Sequence, residues 1–114
     1  MLNQRPELDV VFHALADPSR RSIVERLVLG SATVTDLAAP LPMSMPAVLQ
    51  HLQVLEHSGL VRSRKVGRVR TCSIDVEALQ PVERWIDERR STWERRLDRL
   101  GAYLADDDAD RRLT

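Results

Sequence analysis

The chain has 114 residues, of which 43% are hydrophobic and 4% aromatic, and its 17 basic and 17 acidic residues give a formal net charge of zero. This length suits one domain and is too short for a catalytic domain joined to a regulatory one, so we expect a single folding unit over residues 1–105. Zero net charge argues against a polycation that coats nucleic acid or an anionic membrane, and a lone cysteine excludes an intrachain disulfide. Because no apolar run approaches the ~18 residues of a membrane span, we expect a cytoplasmic protein without a membrane partner.

Two amphipathic helices are predicted at the start of the chain. The first has apolar residues at helical spacing: Leu8, Val11, Phe12 and Leu15. Asp17 is a good N-cap and Pro18 suits a first helical position, so a second helix begins there and ends at Gly30.

A helix-turn-helix is predicted over residues 33–58. Thr33, with an acidic residue three positions later, resembles a capping box and opens a short helix that Pro40 must end. Ser44 can cap the next helix, which runs to Ser58. The fold class that follows is mainly α with a small β-hairpin, a winged helix-turn-helix.

The hairpin is predicted over residues 60–74, where two strands flank a turn at Gly67. Its basic residues follow one another without an intervening acid: Arg62, Arg64, Lys65, Arg68 and Arg70. A basic hairpin directly after a helix-turn-helix is typical of a wing that lies along the DNA backbone or minor groove. Cys72 should pack inward from the second strand as a core residue, with a redox switch as the alternative.

The helix that begins at Ser44 provides the predicted base contacts. Val48, Leu52 and Leu55 share the face that should pack on the core, so the opposite face is available to the major groove. There a glutamine can pair with adenine, and an apolar side chain can meet a thymine methyl group. The predicted DNA-binding residues are Ser44, Met45, Pro46, Ala47, Leu49, Gln50, His51 and Gln53 on the helix and Arg62, Arg64, Lys65, Arg68 and Arg70 on the hairpin.

Three of these residues have alternative roles. Leu49 could instead lie at the edge of the core or contact a second subunit. Ser44 could serve only as the N-cap, and His51 could bridge two helices rather than hold a phosphate.

A long helix is predicted over residues 81–105, with an apolar stripe more than about 30 Å long. A chain this short cannot easily cover such a stripe, so we expect an identical helix of a second subunit to cover it. The predicted dimer interface consists of Leu8, Val11, Phe12, Leu15, Trp85, Ile86, Trp93, Leu97, Leu100 and Leu104. Residues 106–114 form an acidic tail that we expect to be disordered, although it could also compete with DNA for the wing.

The sequence contains no constellation that indicates catalysis or metal binding. His13 lies on a different predicted helix from His51 and His57, the cysteine has no partner cysteine, and there is no phosphate-binding glycine loop and no nucleophile beside a base. We therefore predict no enzyme activity, no cofactor and no metal site, and double-stranded DNA as the partner. Two rival hypotheses are a dimeric protein-interaction module and a sensor of an unknown small-molecule effector bound near Phe12, Trp85 and Trp93.

Several segments resemble the ArsR family of bacterial regulators over roughly residues 10–104. They are Ala14 to Arg21, Ser44 to Val48, His51-Leu52 with Val54-Leu55, Gly59 to Val61, and Gly67-Arg68. The tail segment with Trp85, Trp93 and Arg96-Leu97 is similar to the branch without metal sites, often encoded beside START-like (SRPBCC) proteins.

The resemblance implies a dimeric repressor on a palindromic operator near its own gene, often released by an effector. It places the helix from Ser44 in the major groove and makes the Gly67 hairpin the wing. The metal box of the metal-sensing members would fall around residues 33–38, where this chain has no cysteine. Family members usually carry serine at the position of Leu49 and often a basic residue at those of Gln50 and Gln53, so this helix is less basic than is usual.

Overall fold

The structure is a computed structural model. It describes the backbone of residues 6–113 and the side chains of residues 6–108. The chain divides into two compact units, one up to Val82 and one from Glu83 onward, where we expected one unit up to residue 105. The reason is that the chain beyond Glu83 is one helix with mostly exposed side chains.

The fold is mainly helical with a small antiparallel sheet, as the sequence predicted. In chain order the elements are α1 (Pro6–Leu15), α2 (Pro18–Val28), β1 (Ala32–Thr33), α3 (Val34–Ala38), α4 (Met45–His57), β2 (Val61–Val66), β3 (Val69–Ile74), a 3-10 helix (Val76–Leu79) and α5 (Gln80–Leu113).

The predicted caps begin three of the helices. Asp17 accepts a hydrogen bond from the backbone N–H of Arg20 at 3.1 Å, at the start of α2. Thr33 and Ser44 do the same for α3 and α4, at 3.1 and 3.4 Å respectively. Each cap satisfies a backbone donor that the first turn of a helix leaves without a partner, which is why these helices begin where the sequence predicts.

The sheet has the strand order β1-β3-β2. β2 and β3 form the predicted hairpin, paired from Val61 opposite Ile74 to Val66 opposite Val69, and Gly67 makes the turn with a φ of +62°. β1 was not predicted, because two residues are too few to show an alternating pattern. It places Ala32 opposite Cys72 and so connects the middle of the hairpin to the residues that open α3.

The core of the first unit lies between α2, α4 and the sheet. Its fully buried side chains come from α1, α2, α4, the hairpin and the residue before it: Val11, Ile23, Leu27, Val48, Leu52, Leu55, Leu60, Val61 and Cys72. Burying each large aliphatic side chain contributes about 1.5–3 kcal/mol, so this cluster stabilises the relative positions of α4 and the hairpin. Cys72 is a core residue, and burial raises the pKa of its thiol.

Helix α5 is longer than predicted. We expected it to end near residue 105, followed by a disordered acidic tail, but the helix continues to Leu113. No proline or glycine follows Gly101, so nothing in the local sequence ends the helix earlier. In the part of the chain that the structure describes, no helix is both long enough and apolar enough to cross a membrane.

Candidate nucleic-acid interface

Helix α4 has one buried and one exposed face, as its periodicity predicted. Val48, Leu52 and Leu55 have no exposed surface. Six of the predicted contact residues of this helix and its cap are exposed to solvent: Ser44, Met45, Pro46, Leu49, Gln50 and Gln53. Ala47 and His51 are half-buried at the border of the exposed face.

His51 is held at the edge of α4 by residues near the start of α2. The Arg20 Nη1 atom lies 3.3 Å from His51 Nδ1, and the nearest Asp17 carboxylate oxygen lies 3.9 Å from that same nitrogen. These contacts join α4 to the start of α2, so His51 bridges two helices, which is one of the two roles left open.

Arg20 also fixes the corner between α1 and α2. Its Nε atom donates to the carbonyl of Ala14 at 2.8 Å, and its Nη2 atom donates to the carbonyl of His13 at 3.0 Å. The backbone N–H of Arg20, followed by smaller contributions that include the nearby His51 ring, lowers the pKa of Asp17. This cluster connects the end of α1, the start of α2 and the middle of α4.

The five basic residues of the hairpin fall into two groups. Arg64, Lys65 and Arg68 are exposed, and within residues 6–108 they have no ion-pair partner. Arg62 is paired with Asp75 at 2.7 Å. Within the described residues, the hairpin cations without an ion-pair partner therefore lie toward its tip.

Arg70 is also paired, and its partners lie on two other elements. Its Nη2 atom donates to Glu56 of α4 and, at 3.0 Å, to the hydroxyl of Ser63 on β2. Ser63 donates to Glu56 in turn. Lys65 lies directly opposite Arg70 in the sheet, so Glu56 also offsets a like-charge pair. Arg70 thus connects the hairpin to the second half of α4, which the sequence analysis did not predict.

The pairing of Arg62 with Asp75, which the sequence analysis missed, could have been predicted from the hairpin register. A turn at Gly67 places Arg62 diagonal to Asp75 once the hairpin register is counted back from Val66 and Val69. Glu56 gave no comparable signal, because it lies on a different element from Arg70.

The predicted subunit contacts of α1 need a correction. Leu8 is 6% exposed and Val11 is 2% exposed, so both are buried within the subunit itself, and Leu15 packs partly against the same core. Phe12 retains 41% exposure. The helical spacing gave one apolar face, but it could not tell which residues of that face the subunit's own core would cover.

The apolar stripe of α5 is exposed. Trp93 is 62% exposed, and the other predicted members are 40–53% exposed: Ile86, Leu97, Leu100 and Leu104. Tyr103, at 69% exposure, was not predicted. Trp85 is half-buried, and the guanidinium carbon of Arg89 lies 4.5 Å from the centre of its ring.

A groove of about 770 Å³ runs along α5 between Trp85 and Arg96. All of its lining residues belong to this single helix, so a small ligand in the groove would remain open to water on its far side. Small-molecule sites usually enclose most of their ligand's surface, and this groove suits a packing helix better than a small effector.

No group of three or more histidine, cysteine, aspartate or glutamate side chains in the described part of the chain could hold a metal ion.

The first unit presents two features of functional interest: the exposed, uncharged face of α4 and the basic β2–β3 hairpin. A helix-turn-helix followed by such a hairpin defines a winged helix-turn-helix.

Comparisons with known proteins agree with this class. A family model described as a helix-turn-helix domain matches residues 15–64. The chain is 41% identical over 102 residues to the HTH-type transcriptional regulator Rv2034 of Mycobacterium tuberculosis, covering 90% of this chain and 92% of that protein. It is 30% identical over 76 residues to the transcriptional repressor SdpR of Bacillus subtilis, covering 67% of this chain and 84% of SdpR.

Solved structures give the same result. The crystal structure of an ArsR family transcriptional regulator aligns with a TM-score of 0.76 and 46% identity, over 82% of this chain and 97% of the other. The chain belongs to the ArsR family of winged helix-turn-helix transcriptional regulators, which bind DNA through this domain. A homodimeric winged helix-turn-helix DNA-binding domain from Mycobacterium bovis aligns with a TM-score of 0.58 and 25% identity, over 85% and 94% of the two chains.

Proposed function

We propose that this regulator is a dimeric repressor that binds a palindromic operator, with α4 in the major groove and the β2–β3 hairpin as a wing along the DNA backbone. One observation carries the proposal: α4, which has one exposed face, packs against β2 of a hairpin whose cations at Arg64, Lys65 and Arg68 have no partner in the described chain. Cations without protein partners can replace the counterions of phosphates, and an uncharged helix face can enter the groove at little desolvation cost.

The dimer in this proposal forms through the exposed stripe of α5. Exposed side chains at Trp93, Leu97 and Leu100 would each gain from burial against the same helix of a second copy. The homodimeric Mycobacterium bovis domain and the repressor SdpR support a dimer and repression for a chain of this family. A dimer of identical subunits fits an operator whose two half-sites are related by symmetry.

Fluorescence-anisotropy titration with the promoter fragment of the regulator's own gene and with an unrelated duplex, across a salt series, tests the proposal. Replacing Arg64, Lys65 and Arg68 together with alanine should weaken binding to both duplexes and lower the slope of log K against log salt by up to about 3 per subunit. Gln50→Ala should instead reduce the preference for the promoter.

The matched control is Arg26→Ala, which removes an exposed cation from α2 whose contact is the carbonyl of Gly30. It should leave the salt slope unchanged. Equal, weak binding of the parent protein to both duplexes would contradict the proposal and favour the protein-interaction module.

We also propose that the repressor belongs to the branch that does not sense metals. Residues 33–38, where metal-sensing relatives place their cysteines, contain none, and Cys72 is buried. Titrating Zn²⁺ or arsenite into the DNA complex should therefore leave the anisotropy unchanged, and EDTA should not alter the affinity. Release of DNA at stoichiometric metal would contradict this part of the proposal.

A further inference from the structure

The first two turns of α4 expose an apolar patch formed by Met45, Pro46 and Leu49. Met45 is 42% exposed and Leu49 is 39% exposed, and Pro46 is exposed beside them. The core beneath is complete without them, because Val48 and Leu52 fill it and have no exposed surface. Leu49 therefore lies outside the core cluster of the subunit.

The side chains around this patch are uncharged amides. Gln50 and Gln53 are exposed and lie one turn of helix after Pro46 and Leu49, respectively. From Met45 to Gln53 the helix has no lysine or arginine, the residues that pair with the two acceptors of guanine. A glutamine amide can donate to and accept from adenine, and an apolar side chain can contact the methyl group of thymine.

We infer that the apolar patch contacts thymine methyl groups and that each operator half-site is built from A·T pairs at the positions facing α4. The occupant is double-stranded DNA, and Leu49 is the specificity-determining residue. The inference rests on the proposed function and adds to it the chemistry of the bases that are read. It follows from two properties of this face together: exposed apolar area, and hydrogen-bonding groups that suit adenine and carry no charge.

The test begins with selection of bound duplexes from a random-sequence pool by the purified regulator. The selected half-sites should contain A·T pairs at their central positions. Thymines in the best duplex are then replaced one at a time, symmetrically in both half-sites, by uracil, which pairs identically and lacks only the methyl group. Because burial of one methyl contributes a factor of about four in affinity, one such pair of replacements should weaken binding about ten- to twenty-fold at the contacted position.

The decisive comparison uses Leu49→Ala against both duplexes. The variant should bind the thymine duplex more weakly than the parent protein does, and it should no longer distinguish uracil from thymine at that position. The control is Leu29→Ala, which removes a leucine that is 84% exposed and lies outside α4, and it should keep the full discrimination. Circular dichroism should show all three proteins equally folded.

Four results would overturn the inference, and they distinguish its failure from the failure of the proposed function. Half-sites selected with G·C pairs at their centre, or equal binding of thymine and uracil duplexes, would refute methyl recognition while leaving the DNA-binding repressor intact. Full thymine preference retained by Leu49→Ala would assign the methyl contact to another residue. Failure to select any duplex would remove the proposed function and this inference together.

Discussion

Arg70 differs from Arg68, two residues earlier in the chain, in having partners within the subunit. Its guanidinium group binds Glu56 and Ser63, and it is partly shielded from solvent, with 34% of its side chain exposed. Arg70→Ala leaves the Glu56 carboxylate without this partner, so we expect the free energy of unfolding to fall by about 1 kcal/mol. Arg68→Ala should change it by less than about 0.5 kcal/mol.

Urea unfolding monitored by circular dichroism measures both values. Glu56→Gln keeps the length of the side chain and removes its charge, so it should reproduce most of the Arg70→Ala loss. Equal unfolding midpoints for the Arg68 and Arg70 variants would show that the ion pair contributes nothing to stability.

Asp17 couples the fold to pH through its cap on α2. The backbone N–H of Arg20 stabilises the carboxylate and lowers its pKa below the ordinary value of 3.8. A carboxyl group whose pKa is lowered by folding stabilises the protein above its unfolded pKa, and this contribution is lost as the pH falls through the folded value.

Asp17→Asn keeps a capping oxygen and removes the charge, which makes it a matched variant. We expect the parent protein to have the higher thermal midpoint at neutral pH, and the difference to disappear as the pH falls below about 4. A difference that stays constant from pH 7 to pH 3 would assign the effect to hydrogen-bond geometry rather than to charge.

At the scale of elements, the hairpin depends on Gly67, whose φ of +62° lies in the left-handed region. No atom lies within 4 Å of the position a Cβ would occupy there, so Gly67→Ala tests the backbone conformation alone. We expect a loss of about 1 kcal/mol in unfolding free energy, with partial recovery in Gly67→Asn.

Replacing Gly101 in α5 by alanine should have the opposite effect on stability. A Cβ there also meets no atom within 4 Å, but the residue is helical, so Gly101→Ala should increase the helix content and stabilise α5 by about 0.5–1 kcal/mol. Calorimetry of both variants would show shifts of opposite sign, and a stabilising Gly67→Ala would mean that the turn has another conformation in solution.

The elements that the sequence predicted are those with local signals. The caps at Thr33 and Ser44 act on neighbours three residues away, and the hairpin needs only a glycine between two alternating strands. The contacts that sequence analysis missed join distant residues. Arg20 and His51 are 31 positions apart, and Glu56 and Arg70 are 14 apart, so only the packed core brings them together.

At the scale of the whole molecule, the exposed stripe of α5 carries the proposed dimer. Leu97→Asp would place a charge in the middle of that stripe, where burial against a second copy costs several kcal/mol. We expect sedimentation equilibrium to show a monomer, and operator affinity to fall at least 100-fold because one subunit then binds one half-site. Arg95→Asp on the opposite face of the helix is the control and should remain dimeric.

The candidate site, like the elements of the fold, could be predicted from the sequence only where the signals are local. The outer face of α4 followed from periodicity, which the burial of Val48, Leu52 and Leu55 confirmed. Which cations of the hairpin are free did not follow, since charge along a strand says nothing about partners on α4. The burial of Leu8 and Val11 within the subunit likewise depends on tertiary packing.

The short strand β1 supports only part of the hairpin, so two parts of the hairpin should differ in local stability. Ala32 and Thr33 pair only with Cys72 and Thr71, so the sheet is three-stranded at these two middle positions of β3 and two-stranded from Arg70 to Gly67. Backbone amides of Thr71 and Cys72 should therefore exchange with deuterium only on global unfolding, whereas those near Val66 and Val69 should exchange by local opening. In the proposed DNA complex, the tip of the hairpin can then bend to follow the DNA groove, while the three-stranded part around Cys72 stays packed on the core.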